Sequence, residues 1–406
     1  MKILYSAFSC NPNRGSEAYC GWSWPITMYP HNDTFIITRP DNKYDIEKYL
    51  KDNSISNLKV YYCDSKLGKK LNLSKAMFFM VYYVLWQRAA YKEVKRLHKV
   101  HKFEYIHHVS LGDFRFVGKL WRIDSRFIFG PVGGAQITPK PLKHYTKSHN
   151  FVEYFRRLVN FTITRSINYR RALKRAYLVL AANQETGDYI AKRQKNINLK
   201  LMTENGITRK YLEGIPESYD KLTSKTKIIW SGRLIYRKGL SFLIDIISLI
   251  DKGLNYELQI YGDGPEKQFL EDKVKLLFLD DKVKFMGGVP YHIMQEAYQE
   301  GQIFVFPSIR ETTGTVLFEA MANKLAIVSL NQNGAKLLVD NSCGLLIDVE
   351  NRTLEEVKKD FAEKLTYLIN NPEVCLKMGQ EGKKRIMHNF TWESKIKDFL
   401  NREINV

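Results

Sequence analysis

Residues 302–347 read QIFVFPSIRETTGTVLFEAMANKLAIVSLNQNGAKLLVDNSCGLLI, and this stretch decides the fold class. The apolar run at 303–306 has the length of a buried strand, and the apolar residues at 316–321 recur with the spacing of one helix face. Residues 325–330 form a second apolar run of strand length. A strand, a turn, a helix and a second strand in this order predict a parallel α/β unit.

The turn that precedes the predicted helix is a candidate anion-binding site. Gly314 stands where the turn enters the helix, and the unpaired amides at a helix start carry the positive end of the helix dipole. Such amides suit a diphosphate or another anion. Glu311 lies in the same turn and Glu319 lies about two helical turns further on, so two carboxylates flank the candidate site.

Length and charge divide the chain into two parts. Its 406 residues are too many for one ordinary core and predict two domains of roughly 200 residues each. Residues 1–200 hold 35 Lys and Arg against 14 Asp and Glu, whereas residues 201–406 hold 28 against 29. The basic first domain is therefore expected to meet an anionic partner, which could be a nucleic acid, a membrane surface or an acidic substrate.

The cysteines and the apolar runs predict the compartment. The five cysteines are scattered and include no Cys-x-x-Cys pair, which disfavours a zinc site and a disulfide framework and favours a reduced, cytoplasmic setting. The first apolar run, at 3–8, is too short for a signal peptide. The longest run, Ala76–Trp86, is about half of a membrane span. We therefore expect no transmembrane anchor.

Two glycine-bearing loops of the first domain are candidate ligand contacts. One holds Gly15, Ser16 and Glu17 after the first predicted strand, and the other holds Gly133 and Gly134 after a later one. Glycines let the backbone approach a phosphate or a sugar, although each loop could equally be an ordinary turn without a ligand. No Gly-x-Gly-x-x-Gly occurs at the first loop, which disfavours a dinucleotide-dependent oxidoreductase.

A pair of histidines lies towards the end of a short strand predicted at 105–110. His107 and His108 could be structural residues of the core or could face a ligand, because a histidine at a strand end is found in both settings. The residues alone leave both interpretations open.

Two segments of the first domain combine aromatic and basic residues. The first, at 66–102, has the apolar run Met77–Trp86 between basic ends, and the second is Phe151–Arg175. An apolar middle with basic ends suits insertion at an anionic bilayer surface. The alternative for the first segment is a helix that is buried under the sheet and has solvated basic ends.

The second domain is predicted to begin after a linker at 208–225. A new strand at 227–230 runs into a turn that contains Gly232, Arg233 and Lys238. A guanidinium fork and an ammonium group on one turn can clamp a diphosphate, although such a turn can also be a solvated loop. Two later strands end in further glycine turns, which contain Gly262, Gly288 and Val289.

Together, these motifs resemble the retaining glycosyltransferases of family 4, the group 1 glycosyltransferases, over about residues 227–348. The opening Pro-Ser and the two glutamates are similar to the family's Pro-Ser-x-x-Glu-x7-Glu signature, and the turn at 232–239 is similar to its Gly-Arg-x4-Lys-Gly pattern. The family's usual Gly-Phe is Thr312-Thr313 here, so the identity of the donor stays open. The resemblance implies the GT-B fold, an α/β fold with two Rossmann-like domains facing each other across a cleft.

The resemblance also implies roles for single residues. In the family, the first glutamate contacts the donor sugar, the second holds the nucleotide ribose, and the two cations neutralise the leaving diphosphate. A catalytic role is thus implied for His107, Glu311, Arg233 and Lys238, with His108 as the alternative to His107. Donor binding is implied for Gly15, Ser16, Gly232, Gly262, Gly288, Val289, Thr313, Gly314, Thr315, Val316 and Glu319. The candidates on the acceptor side are Glu17, His108, Gly133 and Gly134.

The implied organisation has four parts. Residues 1–207 are expected to form the acceptor-binding domain and 226–388 the nucleotide-sugar-binding domain, with the linker at 208–225 between them. Residues 389–406 are expected to form a helix that packs back on the first domain.

The implied enzyme is a retaining hexosyltransferase of bacterial surface polysaccharide synthesis. Its donor would be a nucleotide diphosphate sugar, and its acceptor a glycan or a polyprenyl-diphosphate-linked oligosaccharide. No Asp-x-Asp occurs in the chain, so neither a metal nor another cofactor is expected. With its basic, aromatic first domain, the protein is expected to be peripheral at the inner face of the cytoplasmic membrane, on an anionic lipid surface, and to bind no nucleic acid.

Two other functions compete with this interpretation. The paired carboxylates Glu311 and Glu319 could serve a glycoside hydrolase, although a hydrolase needs no diphosphate clamp. The basic first domain could instead make a nucleic-acid-binding or membrane-binding protein without catalysis. It contains no recognisable nucleic-acid recognition motif, and its aromatic runs are too apolar for a solvated stacking face.

Overall fold

A computed structural model of the chain describes residues 1–15, 17–70, 78–216 and 224–404, with the backbone alone at Lys69. Contacts between residues divide the chain into two compact units. Unit 1 comprises Met1–Ala135, Arg156–Asn205 and Lys395–Val406, and unit 2 comprises Gln136–Phe155 and Gly206–Ser394. The predicted first domain runs without a break to residue 207, whereas residues 136–155 group with unit 2.

Unit 1 is built on a seven-stranded parallel sheet in the order β3-β2-β1-β4-β5-β6-β7. Its inner strands are buried along almost their whole length, because both faces of the sheet are covered. The strands are β1 (Lys2–Ala7), β2 (Asp33–Thr38), β3 (Lys59–Tyr62), β4 (Tyr105–Ser110), β5 (Arg126–Val132), β6 (Ala176–Ala181) and β7 (Leu199–Leu201). The helices in this part of the chain are α1 (Glu17–Met28), α2 (Lys43–Asp52), α3 (Lys66–Lys70), α4 (Phe79–His101), α5 (Asn150–Arg165), α6 (Ile167–Arg175) and α7 (Gln184–Ala191).

Unit 2 contains a second parallel sheet, six-stranded, in the order β10-β9-β8-β11-β12-β13. The strands are β8 (Thr226–Ser231), β9 (Tyr256–Tyr261), β10 (Val283–Gly287), β11 (Ile303–Phe306), β12 (Ala326–Leu330) and β13 (Gly344–Ile347). The helices are α8 (Arg209–Glu213), α9 (Leu240–Ile247), α10 (Lys267–Leu276), α11 (Tyr291–Glu300), α12 (Thr315–Ala322), α13 (Ala335–Leu338), α14 (Leu354–Asn370) and α15 (Pro372–Arg385). The predicted linker at 208–225 contains α8, and its residues 217–223 lie outside the described part of the chain.

The stretch at 302–347 folds as its pattern predicts. Strand β11, helix α12 and strand β12 follow one another, and the two strands pair in parallel. Both strands are buried over their whole length, as expected for neighbours near the middle of a covered sheet. The predicted parallel α/β unit is therefore confirmed.

The last helix, α16 (Trp392–Phe399), carries the chain from unit 2 into unit 1. Its buried Lys395 donates hydrogen bonds from Nζ to the carbonyl oxygens of Thr203 and Asn205, each at 2.7 Å. Burial lowers the pKa of Lys395 to about 7. These bonds tie the C-terminal residues to the end of the β7 segment.

Helix α4 decides between the two interpretations of the first aromatic segment, at 66–102. Tyr82, Tyr83 and Trp86 are buried against β1 and the rest of the unit 1 core, so the buried-helix alternative is correct for this part of the segment. Phe78 and Val81 remain exposed, and the start of the predicted run, at 76–77, lies outside the described residues. In the part of the chain that the structure describes, no helix combines the length and the apolarity needed to cross a membrane.

Candidate active site

The candidate site in unit 2 lies at the carboxyl ends of its strands. The strand order reverses between β8 and β11, and in open α/β sheets ligands bind at the carboxyl ends beside such a switch point. Glycine turns follow β8, β9 and β10 there, and the Pro307 turn follows β11. The predicted donor-binding residues of this half of the chain therefore gather at one end of one sheet.

The glycine turns support one another through their backbones. The amide of Gly232 donates to the Tyr261 carbonyl at 3.0 Å, and the amide of Gly262 donates to the Gly287 carbonyl at 2.8 Å. Gly262 has φ of +136°, and an added Cβ would lie 1.8 Å from the Gly232 carbonyl oxygen. Only glycine fits there.

Two further predicted donor contacts follow β10. A Cβ added at Gly288 would meet no atom closer than 4.0 Å, so the backbone there is open to a ligand. Val289 is half-buried and packs against the unit 2 core.

Glu311 is held by cations. Its Oε2 forms an ion pair with Nζ of Lys238, and its Oε1 lies 3.8 Å from Nη1 of Arg237. The Glu311 and Lys238 side chains are each mostly buried, and Lys238 Nζ lies 6.0 Å from the centroid of the Phe306 ring. The structure thus brings together two of the residues predicted as catalytic.

The second predicted cation, Arg233, is placed differently. It is exposed and makes no ion pair with any described residue. The second cation beside Glu311, in addition to Lys238, is Arg237, which the motif did not indicate. Its position in the same turn as Lys238 was the only signal in the sequence.

The start of α12 has the geometry that the sequence predicts for an anion site. Gly314 has φ of +85°, and an added Cβ would lie 2.6 Å from the Phe306 ring. Thr313 is fully buried, and its Oγ1 has no hydrogen-bond partner among the described residues. Thr315 is exposed and Val316 half-buried in the first helical turn. The first turn of α12 is therefore accessible, and an unsatisfied hydroxyl lies directly before it.

Glu319 lies on the side of α12 that contacts β8 and α11. The Tyr298 hydroxyl donates to its Oε2 at 3.1 Å and lies 2.8 Å from the Ser231 hydroxyl at the end of β8. Burial of the carboxyl group raises the pKa of Glu319 to about 7. This carboxyl group therefore changes charge near neutral pH.

A segment of the first half of the sequence supports this site. Within unit 2, Glu153 is buried and pairs with Arg310 Nη2 at 2.9 Å, and the Tyr236 hydroxyl donates to the same Glu153 oxygen at 3.1 Å. The His149 ring stacks on Tyr236 at 3.8 Å. These contacts fix the turn that carries Lys238 and the residue before Glu311. No sequence motif indicated them, because they join residues more than 70 positions apart.

The same segment also contacts the loop that carries Glu311. Gln136 Nε2 donates to the Glu311 carbonyl oxygen at 3.2 Å. The loop before α12 is thus held from its backbone as well as through Arg310.

The candidate acceptor-side residues gather at the carboxyl end of the unit 1 sheet. The Gly112 amide donates to Oε1 of Glu17 at 2.6 Å, and the Gly133 amide donates to the Gly112 carbonyl at 2.8 Å. The Gly134 carbonyl accepts from Arg156 at 2.7 Å. Burial, reinforced by the charge of Asp113, raises the pKa of Glu17 to about 7. Gly15 is exposed, and Ser16 lies outside the described residues.

The two histidines are a correction to the sequence-based assignment. His107 is fully buried, its Nε2 lies 2.7 Å from the Gly130 carbonyl oxygen, and its ring stacks on Phe399 at 5.7 Å. Burial lowers the pKa of His107 to about 3.

His108 is also buried, with Nε2 3.0 Å from the Tyr83 hydroxyl. Burial lowers the pKa of His108 to about 4. A side chain without exposed surface cannot contact a substrate, so neither His107 nor His108 has the predicted place against the transferred sugar. Both pack in the unit 1 core, because the β4 residues that carry them are covered on both faces of the sheet.

Within the ranges that the structure describes, no group of three or more His, Cys, Asp or Glu side chains could hold a metal ion. The five cysteines are free thiols. Positive charge beside Glu311 comes from the Lys238 and Arg237 side chains of the chain itself.

Comparison with known proteins identifies the second half of the chain. Residues 213–385 match the family model described as glycosyl transferases group 1. The range includes the glycine turns, the Lys238 turn and both glutamates, so the resemblance stated from these motifs is confirmed for this part of the chain.

Two curated relatives are similar in sequence. The capsular polysaccharide biosynthesis glycosyltransferase CapM of Staphylococcus aureus is 27% identical over 64% of this chain and 70% of its own length. A GalNAc-alpha-(1->4)-GalNAc-alpha-(1->3)-diNAcBac-PP-undecaprenol alpha-1,4-N-acetyl-D-galactosaminyltransferase of Campylobacter jejuni is 31% identical over 41% of this chain and 45% of its own. Two further relatives, each named as an uncharacterized glycosyltransferase, are matched over 43% and 45% of their own length.

A solved structure shares the fold over the whole chain. The Anabaena protein HepE in complex with UDP superimposes with a TM-score of 0.62 at 16% identity, covering 99% of this chain and 100% of that one. This likeness, with the two parallel sheets, confirms the predicted α/β fold class of the GT-B glycosyltransferases.

Proposed function

Because residues 213–385 belong to the group 1 glycosyl transferases, we propose that this chain transfers a sugar from a nucleotide diphosphate sugar to a hydroxyl group of an acceptor. The observation that carries the proposal is the ion pair of Glu311 with Lys238 beside the open start of α12. A carboxylate, cations and helix-start amides are the groups that a sugar diphosphate needs: the carboxylate for the sugar hydroxyls, and the others for the phosphates.

The diphosphate would compete with Glu311 for the cations. Lys238 and Arg237 both lie beside the Glu311 carboxylate. A diphosphate carries more negative charge than one carboxylate, so its arrival would draw the cations to its oxygens. Glu311 would then be free to accept hydrogen bonds from the donor sugar.

Departure of the diphosphate would be the demanding step, because positive charge develops on the sugar ring. The bond between the anomeric carbon and the diphosphate oxygen breaks, the acceptor oxygen bonds to that carbon on the same face, and the hydroxyl proton leaves with the diphosphate. Lys238, Arg237 and the amides of α12 would stabilise the negative charge on the leaving group. Retention of configuration and independence from metals are part of this proposal. The side-chain cations support the second part, because they can neutralise the diphosphate charge.

The nucleotide would occupy the carboxyl ends of β8 to β10. The Tyr298 hydroxyl links the Glu319 carboxyl group to Ser231 at the end of β8. The ionised form of Glu319 would accept hydrogen bonds from ribose hydroxyls. The open backbone at Gly288 would leave room for the base against Val289. Arg233, exposed in this structure, would have to turn towards the phosphates to take its predicted part.

The acceptor would be a glycan or a polyprenyl-diphosphate-linked oligosaccharide of a bacterial surface polysaccharide. The names of two relatives support this choice, since one belongs to capsular polysaccharide biosynthesis and the other names a PP-undecaprenol acceptor. Glu17, with Gly133 and Gly134, would bind acceptor hydroxyls in unit 1.

We further propose that α5 rests on an anionic lipid surface, at the inner face of the cytoplasmic membrane. This helix exposes an apolar stripe, which consists of Phe151, Val152, Tyr154, Phe155, Leu158 and Phe161. Arg165 lies 3.8 Å from the centroid of the Phe161 ring, and Arg157 is exposed beside the stripe. An aromatic stripe edged by arginines suits the boundary between headgroups and acyl chains.

The experiment that tests the function is a thermal-shift screen with UDP, GDP and their sugars. One nucleoside diphosphate is expected to raise the melting temperature, because only the folded chain binds it. Incubation of the matching donor with acceptor then tests transfer, and the anomeric configuration of the product tests retention. Release of free sugar from a glycoside, without any sugar nucleotide, would support the glycoside hydrolase instead.

A further inference from the structure

A cavity in unit 1 is lined by none of the residues assigned above to the donor or the acceptor. Its volume is about 230 Å³. Helix α4, the loop at 115–119 and the junction of α5 with α6 surround it.

Three cationic side chains line this cavity: Arg88, Arg115 and Lys119. The Arg115 guanidinium is already bound by the Asp113 carboxylate, with Nε 2.9 Å from Oδ1. Arg88 is exposed and Lys119 half-buried, and neither makes an ion pair with a described residue. The cavity therefore offers two positive charges that no carboxylate of the described chain neutralises.

Tyr169 packs in the same wall. It is 2% exposed and its hydroxyl is buried. The Tyr169 ring therefore closes the wall, and the charged groups of the cavity that a ligand can reach are Arg88 and Lys119. The neighbouring Ser166 hydroxyl accepts from the Tyr169 amide at 3.2 Å and so fixes the start of α6.

The rest of the wall and its surroundings are apolar. Val84 and Ile163 line the cavity. Val81, which precedes Val84 by one helical turn, is an exposed apolar side chain, and so is Ile167 beside Ser166. Exposed apolar side chains thus continue from the cavity on both α4 and α6.

We propose that this cavity binds the phosphate group of an anionic lipid, with Arg88 and Lys119 on the phosphate oxygens. The lipid chain would lie along Val84, Val81 and Ile167. Two sources supply this chemistry, the diphosphate of a polyprenyl-linked acceptor and the headgroup of an anionic phospholipid. The choice of an acceptor lipid rests on the proposed function, whereas the binding of a lipid phosphate does not.

Calorimetric titration of the whole chain tests the proposal without any sugar nucleotide. The probes are farnesyl diphosphate, dihexanoyl phosphatidic acid and inorganic diphosphate. At least one of the two lipids is expected to bind, and Arg88→Gln and Lys119→Gln are each expected to weaken that binding about tenfold, the usual value of a charge-assisted hydrogen bond. Tyr169→Phe should leave it unchanged, because the Tyr169 hydroxyl is buried.

Matched variants separate this cavity from other cations. Lys95→Gln and Lys99→Gln remove exposed charges from the same helix α4 and should leave lipid binding unchanged. Lys238→Gln should also leave the binding of phosphatidic acid unchanged, which excludes the diphosphate clamp of unit 2 as the site of that lipid. Circular dichroism confirms that each variant is folded.

The outcomes distinguish the two sources of the lipid or overturn the proposal. Tighter binding of farnesyl diphosphate identifies the acceptor as the source, and tighter binding of phosphatidic acid identifies the membrane. Equal binding of inorganic diphosphate and both lipids would overturn the assignment of a lipid, and unchanged affinity in Arg88→Gln and Lys119→Gln would overturn the site. Failure of the proposed function would appear separately, as the absence of nucleotide binding by a chain whose cavity still binds lipid.

Discussion

Glu311 and Lys238 form the ion pair on which the proposed chemistry depends. Replacing Glu311 by Gln keeps the size of the side chain and removes its charge. We expect turnover to fall roughly a hundredfold or more, the usual cost of losing one group that acts in the transition state. Binding of the nucleoside diphosphate should persist or tighten, because the cations lose their competitor.

Kinetics and calorimetry on Glu311→Gln check this prediction together. The matched control is Glu350→Gln, an exposed carboxylate of the same unit. Loss of nucleotide binding in Glu311→Gln alone would contradict the competition between carboxylate and diphosphate.

Glu319 should make nucleotide binding depend on pH. Its pKa is raised to about 7, so the carboxyl group is mainly protonated below that pH and ionised above it. Ribose hydroxyls donate better to the ionised form, and affinity should therefore rise from pH 6 to pH 8. Glu319→Gln should remove most of this rise. A pH profile that is identical in both proteins would contradict the role of Glu319 at the ribose.

The residues show what the sequence could and could not predict. Glu311 and Lys238 were predictable because a fixed spacing places each on a turn at a strand end. Arg237 was not singled out, because its neighbour fitted the motif better. His107 and His108 were misassigned, because burial on both faces of β4 depends on α1, α16 and neighbouring strands that no local pattern reveals.

At the scale of elements, the segment at 136–155 is the main departure from the predicted organisation. It precedes β8 by about 70 residues yet supports the turn of Lys238 through Glu153 and Tyr236. Strands and helices of unit 2 were predictable from their apolar periods. This segment was not, because its contacts depend on the folded unit rather than on its own pattern.

Glu153→Gln tests the support that this segment gives. It removes the charge that pairs with Arg310 and weakens the acceptor of the Tyr236 hydroxyl, so the Lys238 turn loses its fixed place. We expect turnover to fall about tenfold, because small displacements of catalytic groups cost rate. Glu257→Gln is the control, since Glu257 pairs with Lys225 at 2.7 Å in another part of unit 2. Equal turnover in both variants would contradict the positioning role.

At the scale of the whole molecule, the uneven charge and the α5 stripe predict membrane association. Phe155→Ser and Phe161→Ser should each weaken binding to anionic vesicles about tenfold, the value of burying one phenyl ring. Phe269→Ser is the matched control, because Phe269 on α10 is 56% exposed and Phe155 is 58% exposed. Vesicle flotation measures the effect. Binding to DNA without affinity for anionic vesicles would contradict this surface and favour the nucleic-acid alternative.

The charge imbalance was visible in the composition, but the surface that presents it was not. Both aromatic segments fit an amphipathic pattern, and only folding decides that α4 buries most of its rings while α5 exposes them. The fold class was predictable because both halves of the chain repeat the same order of strand, turn and helix.

The most direct test of the central claim is the turnover of Lys238→Gln with the donor that the screen identifies. Release of nucleoside diphosphate in the presence of acceptor is measured for the unmodified chain, for Lys238→Gln and for Lys275→Gln, which removes an exposed charge from the last turn of α10. We predict that Lys238→Gln alone loses turnover, roughly a hundredfold or more, because the leaving diphosphate loses its principal cation. Full turnover in Lys238→Gln would contradict the account.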